Sequence, residues 1–177
     1  VSISGLCGNI LILVLAFFVP SLAAKFGKKE LSAFGGLFGA VVFFIAFILH
    51  TDNMYLYIAL YTLGYLGIAF FNINCWAMIT DVIDDAEVRQ GERSDGTFYS
   101  VYSFARKMGQ AASSGLTGGL LSIIGYTTAT AFDTEVVNGI YNIACIVPAA
   151  GFLLMSLALI FVYPLGKKKV DSNIAVL

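Results

Sequence analysis

Asp81-Val82-Ile83-Asp84-Asp85-Ala86-Glu87 opens the stretch that decides how this chain is read. A polar segment follows, Arg89-Gln90-Gly91-Glu92-Arg93-Ser94-Asp95-Gly96, and then an apolar helix with Arg106 and Lys107 well inside it. Two adjacent cations in a helix of membrane length cost roughly 2.5–3.5 kcal/mol each at mid-bilayer. Such residues are tolerated where they face protein or water. This helix is therefore expected to border something other than lipid.

The surrounding composition fits that reading. Of 177 residues, 59% are hydrophobic and only 12% charged, and the mean hydropathy is +0.87. A soluble domain carries about 25% charged residues, so the bilayer is the main solvent here. The net charge of −1 gives no reason to expect nucleic-acid binding. Cys7, Cys75 and Cys145 fall in apolar runs without metal or disulfide spacing and read as free, buried thiols. The sequence starts at Val1 inside an apolar run, without the basic start and cleavage site of a signal peptide. It reads as the later part of a longer protein.

Five stretches are long and apolar enough to span: Ile3–Ala24, Ser32–His50, Met54–Thr80, Phe98–Gly125 and Gly139–Pro164. The expected class is all-α and polytopic, with a transmembrane unit over residues 1–165 and a cytoplasmic tail over residues 166–177, short and loose after Lys169. Lys25, Lys28, Lys29, Arg89, Arg93, Lys167, Lys168 and Lys169 fall on one side of that topology, and Arg106 and Lys107 enter the fourth helix from the same side. The connections His50–Asn53 and Gly125–Asn138 contain no Lys or Arg. The positive-inside rule then places the C-terminus in the cytoplasm.

Polar and small residues mark the helices individually. Pro20 is expected to bend or end the first. Gly35, Gly36 and Gly39 permit close approach of another helix to the second. His50, the single histidine, reads as an interfacial residue at its far end. On the third, Asn72 and Trp76 share a face, an amide beside an indole that suits a sugar ring. The same pair also suits helix joining and interfacial anchoring.

The fourth helix carries a polar stripe of Tyr99, Ser103, Arg106, Gln110, Ser113 and Thr117, and beside it Lys107, Ala111, Gly115 and Gly119. Lys107 lies about 14 Å beyond Phe98 along the axis, close to half of a ~30 Å core. Arg106 is expected to snorkel and Lys107 to face a cavity. The fifth helix reads as a support facing lipid.

Asp81, Asp84 and Glu87 recur every three residues and sweep one broad side of a helix. Such a cluster can hold Mg²⁺ against a pyrophosphate, as in membrane prenyltransferases, but that chemistry needs a second facing cluster. None of the other acids forms one on that side. Alternation of Asp84, Glu87, Arg89, Glu92, Arg93 and Asp95 in one loop instead suits ion pairs that form and break as helix bundles rock. The same charges also suit a solvated capping loop.

Here the chain resembles the glycoside–pentoside–hexuronide:cation symporters, the melibiose-permease-like branch of the major facilitator superfamily. Asp81-Val82-Ile83-Asp84, Glu87, Arg89, Arg93, Tyr99-Ser100-Val101 and Lys107 carry the resemblance, together with the basic loop Lys25-Phe26-Gly27-Lys28-Lys29. The resemblance implies five helices forming most of a carboxy-terminal six-helix bundle. It also implies sugar or glycoside import at the plasma membrane by alternating access, coupled to Na⁺ or H⁺, with no enzyme activity. Lys107 would take part in substrate and cation coupling, and Asn72, Trp76 and Gln110 are the further candidates that the residues themselves suggest for that site. Asp81, Asp84, Glu87, Arg89 and Arg93 would help to close the inward side. The acidic cation site is implied to lie in an amino-terminal bundle absent from these residues, with no other cofactor. A membrane scaffold that does not transport is the alternative if the chain is complete.

Overall fold

A computed structural model describes the backbone of residues 2–177 and their side chains except those of residues 2–9 and 11. Six helices follow in order: α1 (Ser2–Phe26), α2 (Lys28–Leu49), α3 (Met54–Gln90), α4 (Asp95–Ile123), α5 (Thr134–Phe161) and α6 (Lys167–Ile174). No strand occurs among the described residues. The side chains of Ser2, Ser4, Cys7 and Asn9 at the start of α1 lie outside those described.

Local chemistry sets the helix boundaries. Gly27, at φ 104°, breaks α1 from α2, a conformation that a side chain would strain. The Asn53 side chain caps α3 by accepting from the Tyr55 and Leu56 amides at 3.0 and 3.3 Å. Gly91 closes α3 at φ 75°, its amide donating to Glu87 O at 2.8 Å.

Two expectations about boundaries are corrected here. Pro20 does not end α1, which runs on to Phe26. The carboxylate cluster is not in a loop, since α3 stays helical through Asp81, Asp84, Asp85, Glu87 and Arg89. At 37 residues and 1.5 Å per residue, α3 is about 55 Å long. It therefore protrudes well beyond a ~30 Å hydrocarbon core, carrying the charges outside it.

The bundle is built around α2, which lies between α3 and α5, with α1 against α3. Glycines let α2 and α3 approach closely. A Cβ at Gly39 would lie 2.8 Å from Gly64 O, and one at Gly67 would collide with Gly35 O and stand 2.9 Å from Gly39 Cα. Gly36 instead meets Ser156 and Met155 of α5. Phe43, 1% exposed, fills the junction, with its ring edge-on to Tyr61, Tyr65 and Phe152 at 5.7–5.8 Å. Cys75 and Cys145 are free and buried, while Cys7 lies outside the described side chains.

At the far end, His50 rests on Tyr141 with centroids 4.6 Å apart and reaches Asn138 Oδ1 at 3.3 Å. The Tyr141 hydroxyl donates to Ala46 O at 2.7 Å, tying α5 to the end of α2. The histidine therefore belongs to a corner between helix ends.

Because backbone and not side chain occupies the space at Gly67, a substitution there cannot be relieved by a rotamer change. Gly67→Ala is expected to destabilise the protein by about 1–3 kcal/mol, the usual cost of overpacking. The melting temperature of purified protein in detergent checks this. In the same 177-residue chain Gly115→Ala should be neutral, since nothing lies within 4 Å of a Cβ there.

α2, α3 and α5 are long and apolar enough to cross a membrane, and α1 contributes the shorter apolar run Ile12–Phe26. α4 has the length, at 29 residues, but Arg106, Lys107, Gln110 and its run of Ser, Thr and Gly lower its hydropathy. None of its described residues is buried. Its main contact is with α3.

Candidate functional site

The sequence-marked residues fall into two groups. The first is the charged end, where α1 meets α2, α3 protrudes and α5 gives way to α6. Lys28 Nζ lies 2.6 Å from Asp81 Oδ1, and the carboxylate is 6% exposed. Arg89 reaches Asp85 at 2.7 Å, one turn back along α3. Arg93, just past the Gly91 cap, gathers three acids. Its Nη1 lies 2.9 Å from Asp84 and 2.7 Å from Glu87, and its Nε lies 3.1 Å from Asp95. Hydrogen bonds to Glu87, Asp95 and Asp84, in that order, push the Arg93 pKa up from its ordinary value.

Arg93 and its partners are partly exposed. Ion pairs of this kind are salt-screened and individually weak. They can break and reform without a large barrier, as a closing contact requires. The structure thus brings Asp84, Glu87 and Arg93 together, but places Asp81 with Lys28 and Arg89 with Asp85.

The tail supplies a feature that the sequence does not signal. Residues 167–174 form α6, so the tail after Lys169, expected to be loose, is helical and docked as far as Ile174. Asn173, 3% exposed, donates from Nδ2 to Asp85 Oδ1 at 2.8 Å. Lys169 approaches the same carboxylate at 3.7 Å, and the Lys167 amide donates to Glu30 Oε1 at 3.3 Å. Beside it, Lys29 Nζ donates to Tyr163 O and Ile160 O at 2.6 and 3.2 Å. A cation is favourable there, where α5 ends in unpaired carbonyls. Tyr163 in turn donates from its hydroxyl to Met78 O at 3.0 Å.

The second group lies between α3 and α4. Trp76, half exposed, stands 5.2 Å from the Tyr102 ring and 6.0 Å from the Tyr99 ring. Cys75 Sγ and the Tyr102 hydroxyl are 3.4 Å apart. Tyr102 was not legible as a partner of Trp76. The signal available was its three-residue spacing from Tyr99, which stacks the two rings on one face.

Asn72, Lys107 and Gln110 are exposed. Among the described residues no carboxylate lies within ion-pair distance of Arg106 or Lys107. Ser114 and Thr117 donate to the carbonyls of Gln110 and Ser113, at 3.0 and 2.9 Å. These hydroxyls are satisfied within α4 itself. The two cations and the Gln110 amide are left facing outward.

An all-α bundle with exposed ion pairs at one end and a cationic helix with no buried described residue is of the multi-pass membrane class. Comparison with known proteins gives the same class. Residues 1–167 match the family described as MFS/sugar transport protein, and the chain belongs to that family, whose members are transporters and not enzymes. That family assignment displaces the prenyltransferase reading.

An uncharacterized symporter of Bacillus subtilis (strain 168), YjmB, is 33% identical over 148 residues, 84% of this chain and 32% of the relative. A glucuronide carrier protein homolog of Escherichia coli (strain K12) is 30% identical over 151 residues, 85% of this chain and 33% of the relative. A sodium-dependent lysophosphatidylcholine symporter of Xenopus tropicalis is 28% identical over 152 residues, 84% of this chain and 29% of the relative. The chain spans about a third of the length of the curated relatives it matches.

Proposed function

We propose that these residues form most of the carboxy-terminal bundle of a symporter that imports a sugar or glycoside together with Na⁺ or H⁺, by alternating access. The observation that carries this reading is α4. A 29-residue helix with no buried described residue presents Lys107 and Gln110 outward, further along the same helix whose Tyr99 and Tyr102 pack against Trp76. Aromatic faces stack on sugar rings, and amide and ammonium groups hydrogen-bond their hydroxyls. A companion bundle on that face would enclose a polar, aromatic cavity. It would also supply the acids for the cation and for Lys107.

The name of the E. coli relative supports a glycoside carrying a carboxylate as cargo. The Xenopus relative's name supports Na⁺ as the coupling ion, and it makes a lysophospholipid the second cargo reading. The test is uptake of labelled glucuronide, neutral glycoside and lysophospholipid by proteoliposomes of the complete polypeptide. Each is measured with a Na⁺ gradient, with a proton gradient and with neither. Gradient-dependent accumulation of a glycoside is the expected result, and absence of all three activities would favour a scaffold.

The one-sided Lys and Arg support a cytoplasmic charged end, and the proposed import reading supports the plasma membrane. Cysteines introduced at Asn53 and Asp133 should react with an impermeant reagent in intact cells. Those at Gln90 and Ser172 should react only after permeabilisation. Labelling of Gln90→Cys in intact cells would reverse the orientation.

A further inference from the structure

We propose that Arg106 selects an acidic cargo, its guanidinium receiving the carboxylate of a sugar acid whose ring lies against Trp76. Arg106 bears the cost of a cation inside a membrane helix and has no part in the coupling role given to Lys107. Adjacent residues on a helix do not share a face, and these two cations stand about 100° apart around the axis. Lys107 heads the line of Ala111, Gly115 and Gly119, along which another helix can come close. Arg106 instead continues the face of Tyr102 and Tyr99, one and two turns behind it.

That face is built around aromatic rings. Trp76 is half exposed, with the Tyr102 ring 5.2 Å and the Tyr99 ring 6.0 Å from it. The Tyr102 hydroxyl is held against α3 by Cys75 Sγ at 3.4 Å. Helical side chains lean toward the N-terminus of their helix, so Arg106 reaches back over the turn that carries Tyr102. Its guanidinium is close enough to act on the Tyr102 hydroxyl. The cation therefore stands at the rim of the aromatic platform. It is exposed and, among the described residues, has no carboxylate within ion-pair distance.

A hexuronide has the same layout. Its ring offers an apolar C–H face that packs on an indole, and its carboxylate projects from the ring's edge. A guanidinium fork meets a planar carboxylate with two parallel hydrogen bonds. A neutral glycoside would stack equally well, but it would leave the guanidinium without a counter-charge once the site is closed to water. A lone buried charge is strongly unfavourable. Selection thus acts mainly by penalising cargo that lacks the acid group. A side chain that only snorkels would show no such preference.

The inference rests on the glycoside reading and deepens it by naming the residue that receives the acid group. Binding rather than transport tests it, so that a defect in coupling cannot pass for a defect in selection. Calorimetry measures the affinities of methyl β-D-glucuronide and methyl β-D-glucoside for the purified complete polypeptide in detergent and sodium buffer. The native protein, Arg106→Gln and Arg106→Lys are compared.

The native protein is expected to bind the glucuronide about 100-fold more tightly than the glucoside, roughly tenfold for each of two charge-assisted hydrogen bonds. Arg106→Gln should abolish that preference by weakening the glucuronide alone, with the glucoside changed by less than about threefold. Arg106→Lys keeps the charge without the fork and should fall between. Unchanged glucuronide affinity in Arg106→Gln would overturn the assignment, and so would equal weakening of both ligands. Equal native affinity for the two glycosides would also overturn it, while leaving the glycoside reading intact. Binding of neither by the native protein would remove both readings.

Discussion

Replacing Lys107 by alanine is expected to abolish gradient-driven accumulation in the complete polypeptide, a loss of about 100-fold or more, the order seen when one member of a buried charge pair is removed. The protein should still insert and reach normal abundance. Lys107 is exposed in these residues and has no carboxylate partner among them. An ammonium about 18 Å into α4, which begins at Asp95, must therefore find its counter-charge elsewhere or face water.

Lys107→Arg should rescue poorly, because a planar guanidinium does not reproduce a compact ammonium in a tight site. Arg106→Lys should be mild if that side chain only reaches back toward the interface. Accumulation in proteoliposomes and ligand binding by purified protein, compared across the three variants, separate these roles. Normal accumulation in Lys107→Ala would reduce the residue to an interfacial anchor.

The second large effect is expected at Arg93. Because it gathers Asp84, Glu87 and Asp95, reversing its charge brings four acids together. Arg93→Glu should slow transport by about tenfold, since like charges in contact repel. Asp84→Arg leaves Arg93 with two acids and should slow transport by only about threefold. The double exchange restores one pair and should exceed the additive expectation by a factor of about two or more, the threshold for coupled neighbours. Substrate affinity should change little, since none of these residues belongs to the Trp76–α4 region. Raising the salt concentration should shrink all three differences. Strictly additive losses would return the segment to a solvated capping loop.

What the sequence discloses differs from element to element, for identifiable reasons. The role of Gly35, Gly36 and Gly39 is legible because small residues at helical spacing have one main use in a bilayer, and the structure sets them against α3 and α5. The end of α3 is not legible, since a run of acids and arginines has no apolar period to follow. Helix and loop look alike there until Gly91 is seen to supply the cap.

Pro20 misleads in another way. A proline costs a helix one hydrogen bond and a steric adjustment, yet a membrane helix has no competing water to unwind into. α6 escapes notice altogether. Its docking depends on an amide meeting Asp85 across 88 residues of sequence, and eight residues are too few for periodicity to register. The aromatic group at Trp76 is half legible. The Asn72–Trp76 spacing marks one face of α3, but only the crossing of α4 brings Tyr99 and Tyr102 to it.

The bareness of α4 has a consequence for how the protein is made. On the insertion scale its two adjacent cations together oppose entry into the bilayer by roughly 5–7 kcal/mol at mid-depth, and its serines and glycines return little of that. α2 and α5 carry enough apolar surface to leave the translocation channel unaided. α4 does not, and must be retained beside it until a neighbouring helix is available to share its polar face. α3, which precedes α4 and is its main contact, is the neighbour among these helices that can share part of that face. A variant that weakens the pairing of α3 with α4 is expected to reach lower abundance in the membrane.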